Sequence, residues 1–362
     1  MVLKVAIVGC GKIADGHVEE VRKMPELACV TAVCDLESLM AEQLARRYSI
    51  PAYYGDFEML LNKERPDVVH IATPPASHLA LARMALTAGC HLYIEKPLTL
   101  NLRETEELIR LANEADRKLT VGYSYLFDPP SLEAHKLVNS GYVGDIVHIE
   151  SSYGYNLAGP FGAAMMGDAM HWVHRLPGKL IHNNIDHLLY RVTEYLPDDR
   201  PDIHAKGFVR RTVRYGDHRD DLLDELRVMV SGANATANVT FTCGARPTGY
   251  ITRIYGSVNT LHVDHTNHTL IAEASSYLPG AFGRIAPAFH TARRYLKQGI
   301  ANVGRFRRAD FHYFAGLNTL LGRFYQSIQD GTEEPVPYRD ILRISWMIDE
   351  IIQQTAGNVA NL

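Results

Sequence analysis

The most informative residues form a glycine-rich turn close to the N-terminus. The apolar run VAIV leads into Gly9, Gly11 and Ala14 in a G-x-G-x-x-A pattern, and a helical stretch follows. In such a unit the first glycine permits a tight turn, the second lets the backbone approach a pyrophosphate, and the small third residue lets the helix pack closely. The helix N-terminus then faces the phosphate charge. The pattern predicts a dinucleotide site that includes Gly9, Gly11, Lys12, Ile13 and Ala14.

An acidic residue further along indicates which dinucleotide is bound. Asp35 ends the second predicted strand, about twenty residues after the turn, where a carboxylate can bind both hydroxyls of an adenosine ribose. A 2′-phosphate would be repelled there, and neither Leu36 nor Glu37 is the arginine that an NADP site places nearby. Arg46 and Arg47 are more simply explained as solvated surface residues. Asp35 therefore favours NAD over NADP as the cofactor.

Alternating strands and helices must position these residues. Over the first 125 residues, short β-branched runs alternate with amphipathic stretches, as in parallel strands joined by helices. The predicted strands are 4–8, 29–34, 68–72, 91–94 and 119–122. Ser77 and Asn101 are suited to cap the helices that follow the third and fourth of these strands. Gly89 is suited to end the first of those two helices.

The pattern changes after the F-D-P-P turn at 127–130. Alternating strands now follow one another with little helix, as in an antiparallel sheet, except for helical stretches at 180–196 and near the C-terminus. We therefore predict two domains. Residues 1–125 form an α/β Rossmann domain with a doubly wound parallel sheet. Residues 126–362 form an α+β domain with a large, open, mainly antiparallel sheet that binds substrate and forms oligomers.

Length, composition and charge exclude several classes of protein. The 362 residues leave room for two domains, and 46% hydrophobic with 22% charged residues is ordinary for a globular protein. The net charge of -4 argues against a nucleic-acid-binding protein. We find neither an apolar run long enough for a transmembrane segment nor a secretory signal. The scattered cysteines and histidines show no metal-ligand spacing, so we expect a cytoplasmic protein without a metal.

Further motifs of the first half carry a family resemblance. The glycine turn is followed by His17, then by H-I-A-T-P-P at 70–75 with His78, and then by E-K-P-L at 95–98. In this order the motifs resemble the Gfo/Idh/MocA family of NAD(P)-dependent oxidoreductases. The E-K-P motif is far more specific than the glycines. The second half resembles the family more loosely, through its strand pattern and the segment around His187.

The resemblance implies roles for individual residues. It implies that the nicotinamide side and ribose of the cofactor are contacted by Thr73, Pro74, His78 and Glu95. It assigns catalysis to Lys96, whose ammonium can lie between the nicotinamide ribose and the substrate hydroxyl and orient both.

A second catalytic element is expected in the second domain. The family commonly has a G-G-x-x-x-D-x-G-x-H stretch, and its best match here places Asn183 at the aspartate and His187 at the histidine. Residues four apart share one helix face. An amide can orient a hydroxyl but cannot accept a proton. His187, together with Lys96, would therefore carry out the acid–base catalysis. A register one residue earlier would use His182 and Asp186, but it misplaces the glycine.

The resemblance also implies a substrate class and a reaction. Tyr153 and Trp172 could stack on a sugar ring, or could equally be core aromatics of the sheet. The implied reaction is hydride transfer between nicotinamide and a hydroxyl-bearing carbon of a sugar, cyclitol or nucleotide-sugar. Two alternatives stay open: a redox-neutral lyase, epimerase or glycosidase that retains its NAD, and a non-catalytic dinucleotide-binding regulatory protein. The sequence does not name the substrate.

One segment departs from the acidic average of the chain. Between Arg284 and Arg308 every charged residue is basic. Such a run is usually a solvated helix or an oligomer contact. It could also bind the diphosphate of a nucleotide-sugar or lie against an anionic membrane surface as a peripheral contact. Independently of this segment, we expect a homo-oligomer, a dimer or tetramer, formed through the open sheet of the second domain.

Overall fold

The computed structural model describes residues 1–210, 212–215, 218–274, 280–307, 315–356 and 360–361. The chain divides into two compact units. The first comprises Met1–Ser124 and Gly316–Trp346, and the second comprises Tyr125–Ala315 and Met347–Leu362. The boundary predicted at 125/126 gave residues 316–346 to the second domain, whereas the structure places this segment in the first unit. The segment carries a buried apolar face, but an apolar helix face does not reveal which core it joins.

The first unit is built on a six-stranded parallel sheet. Its elements are β1 (Leu3–Val8), α1 (Lys12–Arg22), β2 (Ala28–Cys34), α2 (Ser38–Arg47), β3 (Ala52–Tyr54), α3 (Phe57–Glu64), β4 (Val68–Ile71), α4 (His78–Thr87), β5 (His91–Ile94), α5 (Leu102–Glu114) and β6 (Leu119–Val121). The strand order is β3-β2-β1-β4-β5-β6, with every pair parallel. This order, with helices following the strands, confirms the predicted doubly wound fold.

Burial explains which strands the sequence revealed. Strand β1 is buried at all but one position, and β4 and β6 are buried throughout, so they read as apolar runs. Strand β3 was missed because it has three residues, none of them buried, at the edge of the sheet.

The two predicted helix caps have different outcomes. The Asn101 side chain accepts a hydrogen bond from the Glu104 amide at 3.0 Å, as predicted for α5. The prediction for Ser77 was wrong in mechanism. Ser77 immediately precedes α4 but already lies in a 3₁₀ turn, and its hydroxyl donates to the Pro74 carbonyl at 2.9 Å. Gly89 follows the C-cap of α4 with φ +82°, as expected of a residue that ends a helix.

The second unit contains α6 (Pro129–Asn139), β7 (Ile146–Gly154), α7 (Pro160–Gly167), α8 (Lys179–Asn184), α9 (Asp186–Thr193), β8 (Asp202–Val209), β9 (Thr212–Tyr215), β10 (His218–Asp221), β11 (Glu225–Ser231), β12 (Thr236–Thr242), β13 (Tyr250–Gly256), β14 (Asn259–Asp264), β15 (Thr269–Ala274) and α10 (Gly280–Arg307). The chain ends with α11 (Ala315–Asp330), α12 (Tyr338–Ala356) and the short strand β16 (Ala360–Asn361). Strands β9 and β10 form a separate hairpin.

An eight-stranded sheet in the order β15-β14-β13-β7-β12-β11-β8-β16 forms the core of this unit. All neighbours are antiparallel except β7 with β12 and β8 with β16, which confirms a mainly antiparallel sheet. Helix α9 packs against β7 and β12 and covers one face. The opposite face carries exposed side chains such as Lys206, Arg227, Met229 and Asn238.

The helix predicted over 180–196 is divided into α8 and α9. The division falls at Ile185, which keeps right-handed helical dihedrals (φ -70°, ψ -28°). The His187 amide donates to the Asp186 carboxylate at 2.9 Å, which marks the junction. None of the helices in the described part of the chain has the length and apolar character needed to cross a bilayer.

Candidate functional site

The predicted cofactor residues of the first unit lie where its parallel strands end. Gly9 follows β1, Asp35 follows β2, Thr73 follows β4 and Glu95 follows β5. Strands β1 and β4 are neighbours at the centre of the sheet, where the strand order reverses. Ligands of doubly wound sheets bind at this switch point, outside the carboxyl ends of the strands.

The two glycines of the turn are required for different reasons. Gly9 has φ +93°, and a Cβ there would lie 2.7 Å from the Ala72 carbonyl carbon, so the turn and the end of β4 can approach only at a glycine. Gly11 precedes α1 with an ordinary φ of -73°, and a Cβ there would meet no protein atom within 4 Å. The fold therefore needs Gly9, whereas the requirement at Gly11 comes from what approaches the turn. Ala14 is fully buried, as close helix–strand packing demands.

Asp35 is held against this turn. Its Oδ2 accepts a hydrogen bond from the Cys10 amide at 2.7 Å, and its Oδ1 accepts one from the Glu37 amide at 2.9 Å. Burial and the Asp35 charge raise the pKa of the Cys10 thiol to about 12, so this thiol stays protonated. Two backbone donors fix the carboxylate in the place expected for a ribose ligand. The turn, the N-terminus of α1 and Asp35 together fit a dinucleotide.

We expect Gly11→Val to weaken NAD binding by about tenfold or more (~1.4 kcal/mol) without lowering the melting temperature. The valine side chain would enter the space through which a pyrophosphate approaches the backbone, and it would meet no protein atom near its Cβ. Calorimetric titration with NAD and thermal melts measure the two quantities. The matched variant Gly9→Val should lower the melting temperature, because its backbone conformation and the Ala72 contact exclude a side chain. Unchanged NAD affinity in Gly11→Val would remove Gly11 from the cofactor site.

The structure gives His78 a different place from the one implied by the resemblance. Its side chain is fully buried, with Nδ1 2.9 Å from the Leu98 carbonyl and Nε2 2.8 Å from the Thr73 carbonyl. Both ring nitrogens therefore face main-chain oxygens of the protein. Burial lowers the pKa of His78, against the raising effect of these carbonyls. His78 positions the Thr73 segment, while Thr73 is partly exposed and Pro74 exposed.

Glu95 lies in a buried hydrogen-bond cluster. Its Oε1 accepts from His17 Nε2 at 3.1 Å and from the Tyr93 hydroxyl at 3.0 Å, and its Oε2 accepts from the Lys96 amide at 3.2 Å. Burial raises the pKa of Glu95, but the His17 hydrogen bond and charge, the Lys96 charge and the Tyr93 hydrogen bond outweigh it, so the net pKa is lowered. Glu95 is therefore an ionised, oriented carboxylate.

The cluster extends away from Glu95 through two imidazoles. His17 Nδ1 lies 3.1 Å from His70 Nδ1, and His70 Nε2 lies 2.8 Å from the Tyr325 hydroxyl. Burial, followed by the neighbouring His17, lowers the pKa of His70 well below its usual value, so His70 is neutral. All groups are then satisfied in two ways: Tyr325 donates to His70 and His70 to His17 when His17 carries one ring proton, and both directions are reversed when His17 carries two. In both arrangements His17 donates to Glu95.

Lys96 is the next residue in the chain after Glu95, which belongs to this cluster. It is partly buried, its amide is tied to Glu95, and its bond to Pro97 is cis. The main chain that carries the lysine is thereby anchored to the ends of β4 and β5, because the Glu95 amide also donates to the Ile71 carbonyl at 2.9 Å. The sequence motif E-K-P thus places the ammonium on rigid backbone.

The second predicted element lies in the second unit. Asn183 lies near the C-terminus of α8, and His187 lies in the first turn of α9. The two residues are 6% and 7% exposed. Backbone hydrogen bonds at Ile185 continue through the junction, so the spacing of four still places both residues on one side. His187 Nδ1 lies 3.0 Å from the Tyr190 hydroxyl, which ties the imidazole to the next turn of α9.

Aromatic rings surround His187. The ring centroids of Tyr125 and Tyr153 lie 5.3 and 5.9 Å from that of His187, and the Tyr250 hydroxyl donates to the His187 carbonyl. Burial raises the pKa of Tyr250 to about 12, against the lowering effect of the Arg191 charge, so this phenol remains a donor. The structure therefore places Tyr153 and His187, which were both predicted as site residues, in one aromatic cluster.

Sequence reasoning missed three residues of this cluster: Tyr125, Tyr190 and Tyr250. Tyr190 could have been found, since it lies three residues after His187 on the same helix. Tyr125 and Tyr250 are distant in sequence and carried no local signal. Trp172 lies in a 3₁₀ turn that packs against α8, and its ring stacks on His171 at 5.7 Å between centroids. No contact brings Trp172 to His187 among the described ring pairs.

The described residues contain no group of three or more His, Cys, Asp or Glu that could hold a metal ion.

The chain is similar to curated proteins over part of its length. Residues 3–123 match a family described as an oxidoreductase family with an NAD-binding Rossmann fold. A trans-1,2-dihydrobenzene-1,2-diol dehydrogenase of Danio rerio is 32% identical over 160 residues, which cover 44% of this chain and 48% of that protein. A D-glucoside 3-dehydrogenase of Escherichia coli K12 is 31% identical over 145 residues, which cover 40% of this chain and 41% of that protein. The similarity thus spans less than half the length of these relatives.

A solved structure extends the likeness to the whole chain. A levoglucosan dehydrogenase, in complex with NADH and levoglucosan, has a TM-score of 0.80 at 17% identity, covering 99% of this chain and 98% of that one. At this identity the likeness shows a shared fold of both units, as predicted. The family resemblance inferred from the motifs is confirmed for residues 3–123, which match the Gfo/Idh/MocA oxidoreductase family with an NAD-binding Rossmann fold.

Proposed function

We propose that this protein is an NAD-dependent dehydrogenase or reductase that acts on a hydroxyl-bearing carbon of a sugar, cyclitol or nucleotide-sugar. The observation that carries the proposal is the rigid placement of Lys96. A buried cluster fixes Glu95, Glu95 binds the Lys96 amide, and both residues follow β5, which pairs with β4, the strand that ends beside the dinucleotide turn. A proton-carrying side chain held beside a nicotinamide site is what alcohol oxidation requires.

NAD supplies the hydride acceptor or donor of this reaction. Gly9, Gly11 and the N-terminus of α1 would hold its pyrophosphate, and Asp35 its adenosine ribose. The arginines closest in sequence are already engaged, Arg46 with Glu42 and Arg47 with Asp15. This engagement supports NAD rather than NADP.

Lys96 and His187 manage the proton of the substrate hydroxyl in this proposal. In oxidation the C–H bond yields its hydride and the O–H bond yields its proton to one of these two side chains. Asn183 stands where relatives commonly have an aspartate, and its amide would donate to or accept from a hydroxyl without taking the proton. Tyr190 holds Nδ1 of His187 and so orients the ring.

Carbohydrate-like substrates are supported by the second unit. Tyr153 lies beside His187 and offers an aromatic face, and Trp172 is a second candidate for ring stacking. The named relatives act on a glucoside and on a cyclic diol, and the structural neighbour was solved with levoglucosan. Each of these compounds contains a ring that bears hydroxyl groups or ether oxygens.

Assembly and location form part of the same proposal. The exposed face of the eight-stranded sheet, where Met229 is 47% exposed, suits a dimer or tetramer interface. None of the five cysteines, which all lie in the described part of the chain, forms a disulfide. This supports a reducing compartment such as the cytoplasm.

The experiment is a panel of sugars, cyclitols and nucleotide-sugars offered with NAD or NADP, followed at 340 nm and by product analysis. We expect NADH to form with one substrate class and NAD to be preferred over NADP. Product without net absorbance change and without added cofactor would instead establish the redox-neutral alternative. Thermal stabilisation by NAD without turnover of any substrate would establish the non-catalytic alternative.

A further inference from the structure

Helix α10 differs from every other helix of the described chain in its surface. It spans 28 residues, from Gly280 to Arg307, and none of its residues is buried. At 1.5 Å per residue it is about 42 Å long. Its charged residues are all basic: Arg284, Arg293, Arg294, Lys297, Arg305 and Arg307. Arg308, which ends the basic segment noted in the sequence, lies outside the described residues.

An apolar stripe runs along one side of this helix. Its side chains recur at steps of three, four or seven residues, and each is more than half exposed: Phe282 (73%), Ile285 (53%), Phe289 (72%), Leu296 (66%), Ile300 (65%), Val303 (53%) and Phe306 (71%). A surface helix of a globular protein normally turns such a stripe towards the core. Contiguous exposed apolar surface of this kind marks an interaction site.

The polar side of α10 is the one that packs on its own unit. The Gln298 side chain donates to the Leu270 carbonyl at 2.8 Å and accepts from the Leu270 amide at 3.2 Å, on edge strand β15. Asn302, one turn later, donates to the Asn267 carbonyl at 2.9 Å. Gln298 and Asn302 each lie two residues from a stripe residue, about 200° round the helix. These side-chain hydrogen bonds therefore hold the helix with its apolar stripe facing outwards.

The positive charge of α10 indicates which kind of partner can cover this stripe. A second copy of the helix would bring six more basic groups and no acidic one against the first, and like charges repel. An anionic lipid surface supplies the missing countercharge. Arg293 and Lys297 lie beside the stripe, where long basic side chains can reach headgroups while apolar residues enter the acyl boundary.

We propose that α10 is an interfacial helix that binds the surface of an anionic lipid bilayer, with its apolar stripe in the headgroup region and its polar side on β15. The helix lies on the membrane and does not cross it, in keeping with its basic charges and with the absence of any membrane-spanning helix among the described residues. The inference is independent of the enzyme activity proposed above.

The test is flotation of the full-length protein with vesicles of phosphatidylcholine alone or with 30% phosphatidylglycerol. We expect binding to the anionic vesicles only, weakened by salt. Phe289→Ser with Leu296→Ser should weaken binding at least tenfold, and Arg293→Gln with Lys297→Gln should do so as well. The matched control, Val147→Ser with Met229→Ser, removes exposed apolar side chains of the sheet and should bind normally.

Two results would overturn the inference. One is failure of the wild-type protein to float with anionic vesicles at low salt. The other is a change from oligomer to monomer, measured by light scattering, in Phe289→Ser with Leu296→Ser while vesicle binding is unchanged, which would identify the stripe as a contact between copies. Circular dichroism and NAD titration of each variant confirm that folding and the cofactor site are retained.

Discussion

Lys96→Met is expected to lower kcat by on the order of 10²–10⁴-fold while NAD still binds. The methionine keeps the length of the side chain and removes the amine to which the proposed function assigns the substrate proton. The Glu95 cluster, which fixes the main chain through the Lys96 amide, remains intact. Steady-state kinetics at 340 nm with the substrate identified in the panel, together with NAD titration, separate loss of chemistry from loss of binding.

The control for this variant is Lys136→Met. Lys136 lies on α6, and its side chain is 76% exposed and paired only weakly, at 3.9 Å, with Glu133. Its replacement should leave kcat within experimental error. Turnover of Lys96→Met within twofold of wild type would exclude Lys96 from proton transfer and would leave the dinucleotide site without its assigned acid–base group.

His187→Gln is expected to lower kcat by about 10²-fold or more and to remove one limb of the pH–rate profile. The glutamine approximates the volume of the imidazole at this 7% exposed position, so the variant should fold. It cannot exchange a proton near neutral pH. A pH series of kcat and of kcat/KM measures the effect.

Tyr190→Phe provides the matched positioning variant. It removes the hydroxyl that lies 3.0 Å from His187 Nδ1 but keeps the ring. We expect a loss of about threefold to tenfold, the value of one hydrogen bond, with both limbs of the pH profile retained. If Lys96 and His187 act on one proton, the double variant will lose little more than the more damaging single variant. Fully additive losses would show that the two residues serve separate steps.

The parts of the fold that could be predicted are those with a local cause. Buried parallel strands produce apolar runs, and the dinucleotide turn needs glycine because a Cβ at Gly9 would meet the Ala72 backbone. Asn101 caps α5 through a hydrogen bond three residues away. In each case the residues that explain the structure are near one another in sequence, or one residue type is sterically required.

The parts that could not be predicted depend on distant partners. The role of Glu95 was inferred from a motif, but the hydrogen bond between His70 and Tyr325 joins residues 255 positions apart. Likewise, Tyr250 contacts the backbone of His187 from a strand 63 positions away. No periodicity or spacing encodes such pairs. The outward-facing stripe of α10 is a third case, because an amphipathic pattern does not state which side faces the core.

The discontinuity of the first unit has a consequence for how this protein can be divided and recombined. Tyr325 comes from the segment Gly316–Trp346, so a fragment that stops at Ser124 lacks the phenol that His70 meets in the interior. A buried imidazole nitrogen left without its partner costs about 1–3 kcal/mol, and the apolar side chains that α11 covers would be exposed as well. Residues 1–124 alone therefore do not form a unit that can be transferred to another protein. Any chimera that exchanges the second unit must carry both segments of the first unit, with one foreign segment inserted between them and another after Trp346.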